Sequence, residues 1–364
     1  MLAALSRTAQ SGYGRPAMPL PPSTLVILRI AAVGAVAGAI YDLLAHGGFV
    51  TGAVIGGING AAVPWLELVV LRGAAAAFLV RLPFLASVGL RSALYFLLVV
   101  GINAVCVPLV NGPSALGLID PRDIVFALLA SFVGNLLIGV DSLLGPGVLF
   151  AFVAGRYHRP RLEERALLFV DLRASTMTAE RLGGPRFLDF LNAVFADLSA
   201  AIAENGGEIH KYVGDEIIAT WRLAAGPNDA GVVRAWAAAH GKVAASAEAY
   251  RRQFGFVPDF RAGMHCGEIV VGELGSRKKE IALIGDPMNT AARILDAART
   301  LDRPALASSA LLERLNGLPA AVAPRAIAPL KLRGKAEPLA LFALEGDEPS
   351  ALPDSGEAGA LPGD

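Results

Sequence analysis

Charge is nearly missing from the first half of this 364-residue chain. Of its 32 basic and 32 acidic residues only twelve lie in the first 155 positions, and the first lysine is Lys211. That scarcity excludes a simple cytosolic globule: an apolar amino-terminal half is joined to an ordinary water-soluble half. Basic and acidic residues balance to a net charge of zero, so no basic stripe exists for nucleic acid, and nucleic acid is not expected as a partner. Cysteine is scarce as well. Cys106 in an apolar run and Cys266 in a predicted strand make neither a disulfide framework nor a metal set, and both read as packing residues.

What the first half does contain is long apolar runs. A bilayer core takes roughly 20 helical residues, and four runs approach that length: 24–46 with only Arg29 and Asp42, 49–71 with only Glu67, Ser92–Val110 with no charge, and Ile124–Val140 followed by Ser142–Gly155. Residues 74–90, broken by Arg81 and Pro83, read as a connector. Lys and Arg favour the cytoplasmic side. The turn at 46–48 has none, whereas the connector brings Arg72, Arg81 and Arg91, and the stretch after the fourth run brings Arg156, Arg159, Arg161 and Arg165. Four spans with both termini in the cytoplasm satisfy this pattern, with Arg122 as the exception. A cleaved signal peptide is not expected, because the first run is too long and starts late. Gly34 and Gly38, then Gly52, Gly56 and Gly60, recur at the small-xxx-small spacing that lets helices approach closely, within one subunit or between two. Asp42, Glu67 and Asp141 fall near span ends, which places them at the headgroups rather than on an ion path.

From Arg165 short β-type runs alternate with amphipathic helices, the pattern of an α+β domain with helices on one face of a mainly antiparallel sheet. The expected elements are a strand at Ala166–Leu172 and a helix at Pro185–Asn205. Strands Glu208–Val213 and Glu216–Trp221 follow, joined by the turn Gly214-Asp215. A helix at 229–253 leads to strands at Phe260–His265, Glu268–Glu273 and Glu280–Ile284, a helix from Pro287, and late strands at 327–333 and 338–344. The last 20 residues hold six acids, no bases and three prolines and read as disordered. The resulting division is a flexible 1–23, a membrane domain 24–155, a linker 156–164, a catalytic domain 165–345 and an acidic tail 346–364.

Three segments carry the chemistry. Leu168-Phe-Val-Asp171-Leu-Arg-Ala-Ser-Thr-Met177 is an apolar strand ending in a carboxylate and turning into a helix. Such an Asp can hold a divalent cation while free N–H groups face phosphate, although a strand-end Asp is more often a plain helix cap. In His210-Lys-Tyr-Val-Gly-Asp215-Glu-Ile-Ile the Gly-Asp pair tips a hairpin, and taken alone Asp215 is a turn residue and Lys211 a solvated one. In Ile284-Gly-Asp-Pro-Met-Asn289-Thr-Ala-Ala-Arg293, Asn289 and Arg293 are four apart and share a helix face.

Together these segments resemble the catalytic domain of class III nucleotide cyclases in order, spacing and residue type, over about residues 163–345. Arg261-Ala-Gly-Met-His-Cys-Gly-Glu-Ile-Val-Val-Gly272 and Leu332-Arg-Gly-Lys335 extend the resemblance, and the four-span anchor is similar to that of bacterial membrane-anchored members. The resemblance implies a ferredoxin-like α+β catalytic domain that closes a nucleoside triphosphate: the ribose 3′-OH attacks the α-phosphate and pyrophosphate leaves. It implies that Asp171 and Asp215 hold two Mg²⁺ or Mn²⁺. Arg293 then stabilises charge on the phosphates and Asn289 orients the ribose. Leu172, Ser175, Thr176, Arg333 and Lys335 contact the triphosphate. Because each site of the family draws its Asp pair and its Asn/Arg pair from different chains, one complete set implies a homodimer.

Lys211 stands at the family's base-reading place. An ammonium donor suits adenine N1, whereas guanine N1–H wants an acceptor, so ATP is the expected substrate and cyclic AMP the product. Ala282 is a departure: relatives place Asp or Thr there to accept from the adenine amine. The expected protein is a multi-pass inner-membrane adenylyl cyclase with a cytoplasmic catalytic domain, its partners ATP, the bilayer and a second copy of itself. The competing readings are a guanylyl or low-selectivity cyclase, an inactive cyclase-like receptor or scaffold, and a transporter with an appended domain.

Overall fold

The computed structural model describes residues 22–67, 82–112, 121–144, 148–226, 228–277, 279–331 and 337–346. The chain forms two compact units, Met1–Leu143 and Leu144–Asp364.

The first unit is helical: α1 (Pro22–His46), α2 (Val50–Trp65), α3 (Phe84–Asn111) and α4 (Pro121–Leu144). Each expected span falls on one of them. Among the described residues α3, with a mean hydropathy of 2.4 over its best window, is the helix long and apolar enough to cross a membrane; the apolar part of α1, Ile30–His46, is shorter. Residues 84–90, assigned to a connector from Arg81 and Pro83, belong to α3. Pro83 has an extended ψ of 146° and sets the helix start, and Arg91 is neutralised by Glu67, so its charge does not interrupt the helix.

Of the two contacts open to the glycines, the one within the chain is seen: a Cβ on Gly38 would lie 2.1 Å from the carbonyl oxygen of Gly52, and one on Gly34 2.4 Å from that of Gly56. Two of the three carboxylates near span ends have partners within the helices. Asp42 is buried and accepts from the Gly52 amide at 2.9 Å, and Glu67 accepts from both Arg91 and Tyr95. A carboxylate beside an apolar helix surface gains more from fixed donors than from a distant interface. The side chain of Asp141 lies outside the described residues.

The second unit opens with α5 (Val148–Val153) and β1 (Arg161–Leu172). There follow α6 (Ser175–Leu182), α7 (Gly184–Glu204), β2 (Glu208–Val213), β3 (Glu216–Arg222), α8 (Gly231–Ala245) and α9 (Ala247–Phe254). The chain continues through β4 (Phe260–Leu274), β5 (Glu280–Ile284), α10 (Asp286–Thr300), β6 (Ala305–Ser308), α11 (Ser309–Glu313), β7 (Val322–Ala326) and β8 (Leu341–Gly346). The strands form one sheet in the order β2-β3-β1-β4-β6-β8-β7, with β5 paired to β4. All pairings are antiparallel except β4 with β6, so the sheet is mixed.

Helices cover both faces rather than one. From Arg165 to Leu172 all eight residues of β1 are buried, the sign of a strand covered on each side. Ala166, Leu168 and Val170 pack with Val194 and Leu198 of α7 and Val233 of α8. Leu167 and Phe169 pack with Ala291 and Leu295 of α10. The strand expected to break at Cys266-Gly267 runs straight through as β4. Gly267 is there for clearance, since a Cβ would lie 2.5 Å from the Pro287 ring at the start of α10. At Gly263 a Cβ would sit 2.4 Å from the Leu295 backbone nitrogen. Gly263→Ala therefore forces α10 off the sheet at a cost of about 1–3 kcal/mol, which thermal unfolding registers as a lowered midpoint; an unchanged midpoint would contradict this contact.

The expected linker is in part catalytic body. Residues 161–164 already belong to β1, and Tyr157 is buried among Leu167, Phe169, Ile269 and Val271. Its hydroxyl accepts from Arg222 at 2.8 Å and from buried Arg165 at 3.3 Å, and its carbonyl accepts from the Glu273 amide at 3.0 Å. The helix expected at 229–253 is two, divided at Ser246. Of the strand expected at 327–333, residues 332 and 333 lie outside the described residues; a strand forms earlier, at Val322–Ala326, and a Leu330–Leu339 bridge marks the described part of the segment.

Candidate active site

Two carboxylates meet where β1 ends and the β2–β3 hairpin turns. Asp171 is the penultimate residue of β1 and pairs in register with Glu216 of β3. Val213 pairs with Glu216, which leaves Gly214-Asp215 as a two-residue loop; Gly214 takes the left-handed conformation, φ 63°, that such a loop requires. Strand pairing thus sets Asp215 and Glu216 beside Asp171.

The cluster carries more negative charge than its partners neutralise. Burial, and then the Asp215 carboxylate, push the Asp171 carboxyl above the usual carboxylate range, against a hydrogen bond from Arg299 Nη2 to Asp171 Oδ2 at 2.8 Å. Burial and the Asp171 charge push Glu216 up to about 7, again opposed by Arg299. Mutual repulsion between buried hard-oxygen donors is what a divalent cation relieves. Among the described residues no three His, Cys, Asp or Glu side chains are arranged as a metal site. The donor set therefore fits ions held by one or two carboxylates and completed by phosphate and water oxygens, the habit of Mg²⁺.

The turn after Asp171 is strained. Ala174 is a non-glycine residue at φ 53°, a conformation costing about 1–3 kcal/mol, and it delivers the chain into α6, whose first residues are Ser175 and Thr176. Leu172 is buried at the strand end. Arg173, between them, is held by Asp259 at 2.9 Å and Asp302 at 3.1 Å, so the turn is pinned from outside.

Asn289 and Arg293 lie together on α10, Asn289 exposed and Arg293 half-buried. Among the described residues neither side chain makes a hydrogen bond or ion pair, and none joins them to Asp171 or Asp215. Arg299, on the same helix, does touch Asp171. A rise of 1.5 Å per residue puts Arg293 about 9 Å and Asn289 about 15 Å back along the axis from it.

Lys211 is exposed on β2, its Nζ 3.4 Å from Glu280 Oε2 on β5. Ala282, two residues on, shares the strand face of Glu280. Arg333 and Lys335 lie outside the described residues. Sequence reading missed Glu216, Arg299 and Glu280. Glu216 had a signal in its adjacency to Asp215; Arg299 and Glu280 reach the site only through tertiary packing.

Residues 158–338 match the family model of the adenylate and guanylate cyclase catalytic domain. Adenylate cyclase 2 of Rhizobium meliloti is 36% identical over 221 residues, 61% of this chain and 61% of that protein. An uncharacterized protein of Mycobacterium tuberculosis is 31% identical over 167 residues, 43% of this chain and 29% of its own length. The chain thus spans less than two thirds of these relatives. A solved structure of a bacterial light-regulated adenylyl cyclase superposes with a TM-score of 0.51 at 18% identity, covering 62% of this chain and 65% of the other, a likeness of fold.

Proposed function

We propose, for a chain whose residues 158–338 match the adenylate and guanylate cyclase catalytic domain, a membrane-anchored adenylyl cyclase that converts ATP to 3′,5′-cyclic AMP and pyrophosphate at a homodimer interface. The observation that carries the reading is the pairing of buried Asp171 with half-buried Asp215, which among the described residues no hydrogen bond or ion pair joins to Asn289 or Arg293 of the same chain.

Asp171 and Asp215 would hold two Mg²⁺ or Mn²⁺, which when bound lower the pKa of the 3′-OH and neutralise charge on attacking and leaving oxygens. The backbone N–H groups at Leu172, Ser175 and Thr176 face the phosphates, where the start of α6 favours negative charge. The partner protomer supplies Arg293 to the charge that develops at the α-phosphate and Asn289 to the ribose, and its Arg333 and Lys335 segment adds charge to the triphosphate pocket. Two-fold symmetry makes the two sites equivalent.

Lys211 donates to adenine N1. Glu280, beside it on the face where Ala282 offers no polar atom, accepts from the adenine amine. The helices α1–α4 anchor the enzyme in the inner membrane as four spans, with the catalytic domain in the cytoplasm. Supporting this are the apolar side chains that α1, α3 and α4 leave exposed, among them Val33, Leu44, Leu97, Leu109 and Leu129.

Full-length protein assayed with ATP and GTP, in Mg²⁺ and in Mn²⁺, is expected to make chiefly cyclic AMP. Lys211→Glu is expected to lower ATP turnover about 10-fold more than GTP turnover, the worth of one hydrogen bond to a charged group. An unchanged ratio removes Lys211 from the base pocket, and cyclic GMP as the main wild-type product replaces the ATP reading by a guanylyl cyclase.

A further inference from the structure

We infer that the helical unit holds a binding cavity for an amphipathic amine, a molecule with an apolar body and an ammonium head. Among α1–α4 lies a cavity of about 840 Å³, within the range of roughly 300–1,000 Å³ that encloses a small molecule. Ile55, Val63, Val99 and Val107 give it apolar wall.

Its polar groups fall in two sets. The inner set is Asn59, Asn103 and Asn135. Asn103 Nδ2 donates to the Val99 carbonyl at 2.8 Å, and Asn135 Nδ2 to that of Val88 at 3.0 Å. Asn59 Oδ1 is enclosed and among the described residues has no hydrogen-bond partner. An enclosed acceptor left unmet is costly, and a donor on an occupant would satisfy it.

The outer set lies where α1 and α3 end and α2 and α4 begin. His46 Nδ1 is 3.3 Å from Asp42 and its Nε2 3.7 Å from Asp123, while the Tyr41 hydroxyl donates to Asp123 at 2.6 Å. Two carboxylates thus share one imidazole. Among the described residues no Lys or Arg lines the cavity; Arg122, next to Asp123 in the first turn of α4, is not among its lining residues. Tyr41, stacked on Phe126 with centroids 4.0 Å apart, adds an aromatic surface that attracts a cation. This end of the cavity selects an ammonium over a carboxylate or phosphate headgroup, and the apolar walls take its chain.

The test uses full-length protein in phosphatidylcholine nanodiscs and a photoreactive octylamine, with octanol and octanoate analogues as controls and labelled sites mapped by mass spectrometry. The amine is expected to label residues lining the cavity and to be displaced by octylamine but not by octanoate. Asp123→Asn should weaken that competition at least tenfold. Ser131→Trp, which fills the cavity without touching the carboxylates, should abolish the labelling; it decides the matter if Asp123→Asn lowers the helix content. Equal labelling by all three headgroups, labelling only on bilayer-facing positions, or labelling that survives Ser131→Trp overturns the proposal and leaves ordinary lipid contact. No cyclic nucleotide is measured, so the outcome stands apart from the catalytic reading.

Discussion

Turnover is expected to fall by about 10²-fold or more in Asp171→Asn and in Asp215→Asn, the scale on which single electrostatic contacts act in a transition state. The amide is nearly the shape of the carboxylate it replaces, so packing at the end of β1 and at the hairpin tip is preserved. The lost quantity is negative charge aimed at a cation. Because Asp171 sits in a cluster with too little positive charge, removing one carboxylate also removes repulsion. Folding is therefore expected to be unharmed, with the thermal midpoint equal to or above that of the wild type. Loss of activity with retained stability separates a ligand from a structural residue. Near wild-type turnover in either variant at saturating Mn²⁺ would end the two-metal assignment.

Mixed chains give the second large effect. Asp171→Asn and Arg293→Ala are each expected to be inactive alone, and an equal mixture to recover about a quarter of the wild-type rate. The fraction follows from two-fold symmetry: half of randomly paired dimers are mixed, and in each of those one of two sites receives an intact Asp171 and an intact Arg293. The structural ground is α10, which touches Asp171 through Arg299 while holding Arg293 and Asn289 about 9 and 15 Å further back. If one chain built the whole site, no pairing of a damaged carboxylate with a damaged arginine could recover activity. Absence of recovery in a preparation shown to contain mixed dimers is the result that would sink the shared site.

The local signals were easy to read and the long-range ones were not. The uninterrupted apolar run of β1, the two-residue Gly214-Asp215 turn and the helix from Pro287 each follow from neighbours in sequence. Gly267 was misread because a glycine between two β-type runs looks like a turn, and only the position of Pro287 shows that it clears space for a helix. The second covered face of the sheet was hidden for a related reason: α10 is amphipathic on either face. β6 has four residues, too few for a periodic pattern. The partners of Asp42 and Glu67 lie in other helices, at Gly52 and at Arg91 and Tyr95. Within the site, the aspartates, Asn289 and Arg293 were legible as motif residues. Arg299 and Glu280 were not, because what makes them relevant is a contact 128 residues away in one case and 69 in the other.

Tyr157 has a mechanical consequence. Its ring is seated against β1 and β4, its hydroxyl is gripped by arginines of β1 and β3, and its carbonyl is tied to β4. Three adjacent strands thus clasp one side chain that precedes the first of them. A displacement of Tyr157 would therefore load β1, β3 and β4 together rather than residues 158–160 alone, and Asp171 stands at the far end of β1.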